Sequence, residues 1–202
     1  DWVESDYLEV LYRALVDEKA DIAVSTYKQF NVDDNCVYVH SFQRGYDRKV
    51  FTNVELIDSL PLLRGYDSTY NFVSCKLISR NILEYIRFNL STGYGEDMEF
   101  WSKVFLISKK IVYENKDTYI YRTSNDHSKY YAAENIRSNV EQRLIFLAML
   151  AARGMDITNH LSEYMHFMNV SKIKLSEEVG ETHETVQWLK ESLFLLGGDL
   201  SN

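Results

Sequence analysis

The chain has little in it that would interrupt or staple a fold. One proline and eight glycines among 202 residues leave few break points, so long regular elements joined by short loops are expected. Cys36 and Cys75 are too few for a disulfide scaffold and too far apart for a metal knuckle; both are expected as buried thiols in a reducing compartment. Basic residues are outnumbered, 22 against 30 acidic, for a net charge of −8. That sign opposes neutralisation of a phosphate backbone and excludes nucleic acid as a generic partner. No apolar run approaches the ~18 residues that cross a bilayer. The opening Asp1-Trp2 carries neither a basic stretch nor an apolar targeting segment, and without a starting Met the chain is expected to be a piece of a longer protein. A glycine-rich phosphate loop ending in Lys-Ser/Thr and a nucleophile elbow are both missing. His183-Glu184 is followed by Gln187 rather than a second histidine, which excludes the metalloprotease spacing. The spacing of His160 and His166 does not suit two zinc ligands one helical turn apart, and Asp33-Asp34 lacks a third ligand.

What remains is globular in balance, 46% hydrophobic and 26% charged. Aromatics make up 14%, with 15 tyrosines, a composition that suits both cores and hydroxylated ligands. Residues 5–17 carry Tyr7, Leu8, Leu11, Tyr12 and Leu15 at helical spacing. Residues 21–27 alternate as a strand, and 36–40 with 49–51 read as two short strands around Arg44-Gly45-Tyr46-Asp47. Thr52-Asn-Val-Glu55 has capping-box spacing and predicts a short helix ended by Pro61. Residues 70–77 read as a buried strand, and a short helix follows Ser79. Another helix follows Glu96-Asp97, and 111–113 with 119–121 read as a strand pair across Asn115-Lys116. Helices are expected near 132–152, 157–170 and 176–196, the first closed by Gly154. The pattern predicts an α/β part over 1–130 and a helical part over 131–202, packed on it without a flexible linker.

Three local features could carry chemistry. Gly93-Tyr-Gly95-Glu96-Asp97 places two carboxylates in the first turn of a helix, where free N–H groups and the helix dipole keep acids ionised. The same residues also serve as ordinary helix starters. Tyr119-Ile-Tyr121-Arg122 runs into Asn125-Asp126-His127-Ser128, offering a guanidinium for phosphate and an imidazole for a metal, or simply a solvated hairpin end. Lys76, near the end of an apolar segment, suits an anionic substrate at a sheet rim, or snorkels to solvent.

Together these segments resemble family 2 glycosyltransferases of the GT-A fold, the bacterial surface-polysaccharide type. Asp1-Trp2-Val-Glu-Ser-Asp-Tyr-Leu is similar to the stretch immediately C-terminal to that family's metal-binding Asp-x-Asp motif. Ser74-Cys-Lys76-Leu-Ile-Ser-Arg80 resembles its W-x-K-L-(Y/F)-x-R segment, with Ser74 in place of Trp and Ile78 in place of an aromatic. Gly95-Glu96-Asp97-x-x-Phe100 is similar to its Glu-Asp motif, and 111–128 to the strands and loop C-terminal to that motif. The resemblance implies the C-terminal part of a GT-A-like mixed sheet flanked by helices, followed by an all-helical tail. It implies an inverting, metal-dependent enzyme moving a sugar from a nucleotide-sugar donor, by default a UDP-sugar, to a hydroxyl of a saccharide, glycolipid or glycoprotein acceptor in cell-surface polysaccharide or glycoconjugate synthesis.

Under this resemblance Asp97 is the general base and Glu96 supports the acceptor or orients the base. Lys76, Arg122 and Ser128 surround the donor diphosphate, while His127 and Asp1 hold Mn²⁺ or Mg²⁺. The principal metal-binding aspartates and the nucleotide-binding half of the family fold fall upstream of Asp1, outside this chain. A cytoplasmic site, peripheral at the inner membrane face, and association into homo-oligomers through the last helices are the accompanying expectations. The competing reading is a non-catalytic binding or assembly module derived from such a fold.

Overall fold

Ile22–Asn31 is ten residues rich in β-branched and aromatic side chains, and Lys110–Thr123 is fourteen of the same kind. In the computed structural model, which describes residues 1–39, 46–66, 68–89, 93–125 and 132–197, these two strands, β2 and β6, lie parallel at the centre of a six-stranded mixed sheet. Each carries two short antiparallel partners end to end along its outer edge. Strand β6 takes β4 (Arg48–Thr52) near its start and β1 (Trp2–Val3) near its end. Strand β2 takes β5 (Lys76–Ile78) and then β3 (Cys36–Val39). The expected mixed sheet flanked by helices and followed by a helical part is therefore present.

Several boundaries differ from expectation for physical reasons. The strand pair expected across Asn115-Lys116 is one strand. Ser25 pairs with Glu114 and Tyr27 with Tyr119, so residues 115–118 are taken up as an irregularity opposite a single residue of β2, and the chain keeps its direction. Strands β3 and β4 do not pair with each other, since β2 and β6 offer longer partners. Helix α2 (Asn53–Tyr66) runs through Pro61 instead of stopping there. Leu56, Ile57 and Leu60 are fully buried on this helix, and that tertiary burial outweighs the local penalty of the proline. The segment 70–77 becomes strand only at Lys76, after a 3₁₀ turn at Ser68–Tyr70 and a backbone at Cys75 with φ +64. Cys75 is buried as expected, but Cys36 is exposed on an edge strand.

The chain divides into two compact units, residues 1–88 with 100–125 and residues 89–99 with 126–202. In the first, α1 (Tyr7–Glu18) covers the sheet with Leu11 and Ala14 against Ala20, Ala23 and Val112. The helix closes at Lys19, whose left-handed backbone (φ +50) returns its N–H to the Val16 carbonyl. Phe51, Ile57, Leu60, Tyr70, Trp101, Phe105 and Tyr113 supply the bulk of this unit's interior.

The second unit is helical. Helices α4 (Ala133–Ala152), α5 (Thr158–Val179) and α6 (Glu184–Leu195) bury Ile136, Val140, Met168, Leu175, Val186, Leu189 and Leu193 in one cluster. His160, which the sequence gives no chemical role, is 1% exposed between the rings of Phe146 and Tyr164.

Candidate functional site

Helix α3 (Glu96–Ile107) begins with the two carboxylates that the sequence singles out. It can start there because Gly95 adopts φ +97, which an L side chain rarely tolerates, and its carbonyl accepts the Glu99 N–H at 3.1 Å. A Cβ at Gly95 would make only an ordinary 3.5 Å contact with the Asn139 backbone, so it is the backbone angle that calls for glycine; from the same helix α4, Ser138 donates its hydroxyl to the Tyr94 carbonyl at 2.6 Å. Glu96 is exposed and Asp97 half-buried. Glu99, a third acid in the same turn, is 8% exposed, and its spacing does not single it out.

At the junction of β1 and β6 the structure brings together Asp1 and Arg122. Both oxygens of the Asp1 carboxylate accept hydrogen bonds, one from the Tyr119 hydroxyl at 2.7 Å and one from the Arg122 backbone N–H at 2.8 Å. The exposed Arg122 guanidinium lies 6.0 Å from the centre of the Trp2 ring. Ser74 in turn donates to the Tyr119 hydroxyl, and the backbone N–H groups of Cys75 and Lys76 donate to Tyr7, whose ring sits 5.9 Å from that of Tyr119. Burial pushes both phenols above their ordinary range, most directly by withholding water from the phenolate. These two tyrosines organise the site and are not legible as such in the sequence, because Tyr119 meets Asp1 across 118 positions.

Lys76 stands at the first residue of β5, but its ammonium is turned to the chain's own carbonyls. Its Nζ donates to Thr69, to Phe72 at 2.5 Å and to Ser74 at 3.2 Å, and lies 4.6 Å from the centre of the Trp101 ring. His127 and Ser128 lie outside the described residues. The chain leading to them is anchored by a cluster at the ends of β2 and β6. Asn31 donates its amide to the Asn125 side-chain oxygen at 2.7 Å, and the Asn125 N–H donates to Asp33 at 2.6 Å. Asn31 Oδ1 accepts the Asp33 N–H at 2.9 Å; this Asx turn is the signal in Asn31-x-Asp33 that spacing alone could have supplied.

Among the described residues, no group of three or more His, Cys, Asp or Glu side chains could hold a metal ion. Asp1 is the single described member of the expected ligand pair, and both its oxygens are engaged by the protein. The described residues by themselves do not supply a complete ligand set for a divalent cation.

No family model matches the chain. The chain is 32% identical over 174 residues to Glycosyltransferase GlyA of Streptococcus pneumoniae serotype 4, a match covering 85% of this chain and 25% of that protein. It thus spans about a quarter of that relative's length. Two crystal structures of S. aureus TarS, residues 1–349, superpose with TM-scores of 0.54 and, in the complex with UDP-GlcNAc, 0.61, each at 14% identity. They cover 98% and 96% of this chain and 52% and 54% of theirs. The chain therefore shares the TarS fold over about half of that structure, and it is homologous to a segment of a glycosyltransferase.

Proposed function

We propose that the chain is the acceptor-side part of an inverting glycosyltransferase that takes a nucleotide-sugar donor. The observation that carries this reading is Gly95-Glu96-Asp97 at the start of α3, a half-buried carboxylate beside an exposed one, in a chain homologous to a segment of a glycosyltransferase. Asp97 accepts the proton of the acceptor hydroxyl as its oxygen attacks the anomeric carbon. The nucleoside diphosphate leaves from the opposite face, which inverts the centre. Glu96 binds a neighbouring acceptor hydroxyl. Arg122 meets the charge that develops on the leaving diphosphate. Lys76 would serve that diphosphate only by exchanging its carbonyls for phosphate oxygens, so most of this charge falls to Arg122, with Ser128 as a second donor.

The TarS complex with UDP-GlcNAc supports a UDP-sugar as donor. Mn²⁺ or Mg²⁺ belongs to the same proposal, and would be held by His127 and by an Asp1 oxygen that gives up its bond to Tyr119 or to the Arg122 N–H; so does a saccharide, glycolipid or glycoprotein acceptor of cell-surface polysaccharide or glycoconjugate synthesis. No helix among the described residues is long and apolar enough to cross a membrane, which is compatible with a cytoplasmic enzyme working at the inner membrane face. Phe194 and Leu195, 60% and 74% exposed at the end of α6, supply an apolar face for self-association.

The test is Asp97→Asn in the longest form of the enzyme that transfers sugar. Transfer should fall about 10²- to 10⁴-fold while donor binding persists, because a base acts on the acceptor. Turnover close to that of the unaltered enzyme would remove Asp97 from the role.

A further inference from the structure

We infer that a cavity in the first unit, beside β5, binds an anionic amphiphile, its apolar part in the cavity and a phosphate head on Arg80 and Arg87. Its service as the acceptor's lipid end rests on the transferase reading above; the binding itself does not.

The cavity measures about 600 Å³, within the range of sites that take drug-sized ligands. Its walls come from β5, from the 3₁₀ turn at Ile82–Glu84 and the segment after it, and from α3. Ile78, Leu83, Ile86, Phe88, Phe100 and Trp101 make it apolar. The aromatic side is rigid. Phe88 and Phe100 stack with centroids 4.1 Å apart and planes 5° from parallel, and Trp101 stands edge-on to Phe100 at 5.3 Å. A preformed wall of this kind loses little side-chain freedom when a ligand arrives. Phe88 is nevertheless 45% exposed, so this wall is partly open to solvent.

The charges at this cavity are of the wrong sign for the chain as a whole. The protein carries a net −8, yet Arg80 and Arg87 line the cavity against one acid, Glu84. No carboxylate among the described residues pairs with either guanidinium; Arg87 donates only to its neighbouring Ile86 carbonyl, at 2.8 Å. The ammonium of Lys76, which also lines the cavity, is occupied by carbonyls. Two exposed forks of N–H donors therefore stand over an apolar interior. Guanidinium groups suit phosphate oxygens bidentately, and the apolar walls suit a hydrocarbon chain. A free phosphate would leave the interior unused. A neutral lipid would leave the guanidiniums unused.

Calorimetric titration of the 202-residue protein with dodecyl phosphate, kept below its micellar concentration, tests the assignment. One-to-one saturable uptake is expected, weakening as salt is added. Inorganic phosphate and the neutral dodecyl maltoside should each bind at least about tenfold more weakly. The Arg80→Ala/Arg87→Ala double variant should lose dodecyl phosphate by a similar factor, as two charge-assisted hydrogen-bonding groups are removed. Leu83→Trp, which fills the cavity without touching its charge, should block uptake while the circular dichroism of the protein is retained. Absence of uptake, equal uptake of maltoside or of inorganic phosphate, or an unchanged double variant would overturn the assignment. Because no transfer is measured, dodecyl phosphate binding alongside an unaffected Asp97→Asn enzyme would leave the cavity standing and remove only Asp97 from the role of base.

Discussion

Tyr7 and Tyr119 make the chain's alkaline behaviour distinctive. Burial raises both phenols above 10.0, and for Tyr7 the neighbouring Cys75 adds to the shift while N–H donors from Cys75 and Lys76 oppose it. A phenol whose pKa is higher folded than unfolded favours folding below the unfolded value, and that contribution is lost as pH rises through the folded one. Stability should accordingly decline above pH 10, and the phenolate absorbance of Tyr7 and Tyr119 should develop above the ordinary tyrosine range. The Tyr7→Phe/Tyr119→Phe variant should lose part of the late absorbance change; an unchanged titration curve would remove both phenols from it. At this level the sequence is uneven as a guide. Glycine before adjacent acids announces a helix start because the constraint is local, confined to Gly95 and the turn after it. Nothing near Tyr119 announces Asp1, because that hydrogen bond exists only once β1 and β6 have paired.

Helix α2 shows which local signals survive folding. The Thr52 N–H and hydroxyl both donate to the Glu55 carboxylate, at 2.7 and 2.9 Å, and the Glu55 N–H returns to the Thr52 hydroxyl at 3.2 Å. The spacing Thr-x-x-Glu predicts this reciprocal cap, and it is present. Those donors, the Thr52 backbone N–H first and its hydroxyl second, hold the Glu55 carboxyl below its usual 4.5. A lowered carboxyl contributes stability above its unfolded pKa and loses it as pH falls through the folded one. Thr52→Ala should destabilise by about 1 kcal/mol at neutral pH through loss of the cap, and the difference from the unaltered protein should shrink as the Glu55 carboxylate is protonated at acid pH, as urea unfolding would measure. A constant difference across that range would separate Thr52 from the Glu55 charge. The same helix shows where local signals fail, since Pro61 reads as a stop while Leu60 is anchored in the interior. Strand β6 fails in the same way: Asn115-Lys116 reads as a reversal, but both flanking segments have their partner on β2, a constraint written more than 80 residues earlier.

The two units are not consecutive stretches of chain. Residues 89–99 leave the sheet-bearing unit, join the helical one, and hand α3 back at Phe100. A polypeptide ending at residue 125 therefore keeps every strand but deprives the first turn of α3 of its companions, among them Ser138, which bonds Tyr94. Hydrogen exchange should find Ile111–Tyr113 protected in that polypeptide and Glu96–Glu99 exchanging quickly. Equal protection of both would show that the acid-bearing turn needs no helical unit. The order of the strands has a consequence for how the molecule is made. Strand β6 is the last of the six to leave the ribosome, yet β1, β2 and β4 all pair with it. Until residue 123 has emerged, three earlier strands wait with their backbone donors and acceptors facing solvent or one another. Synthesis thus imposes a delay during which the nascent sheet can be captured by the wrong neighbour, and a pause or truncation before β6 should mark the difference between a folding chain and an aggregating one.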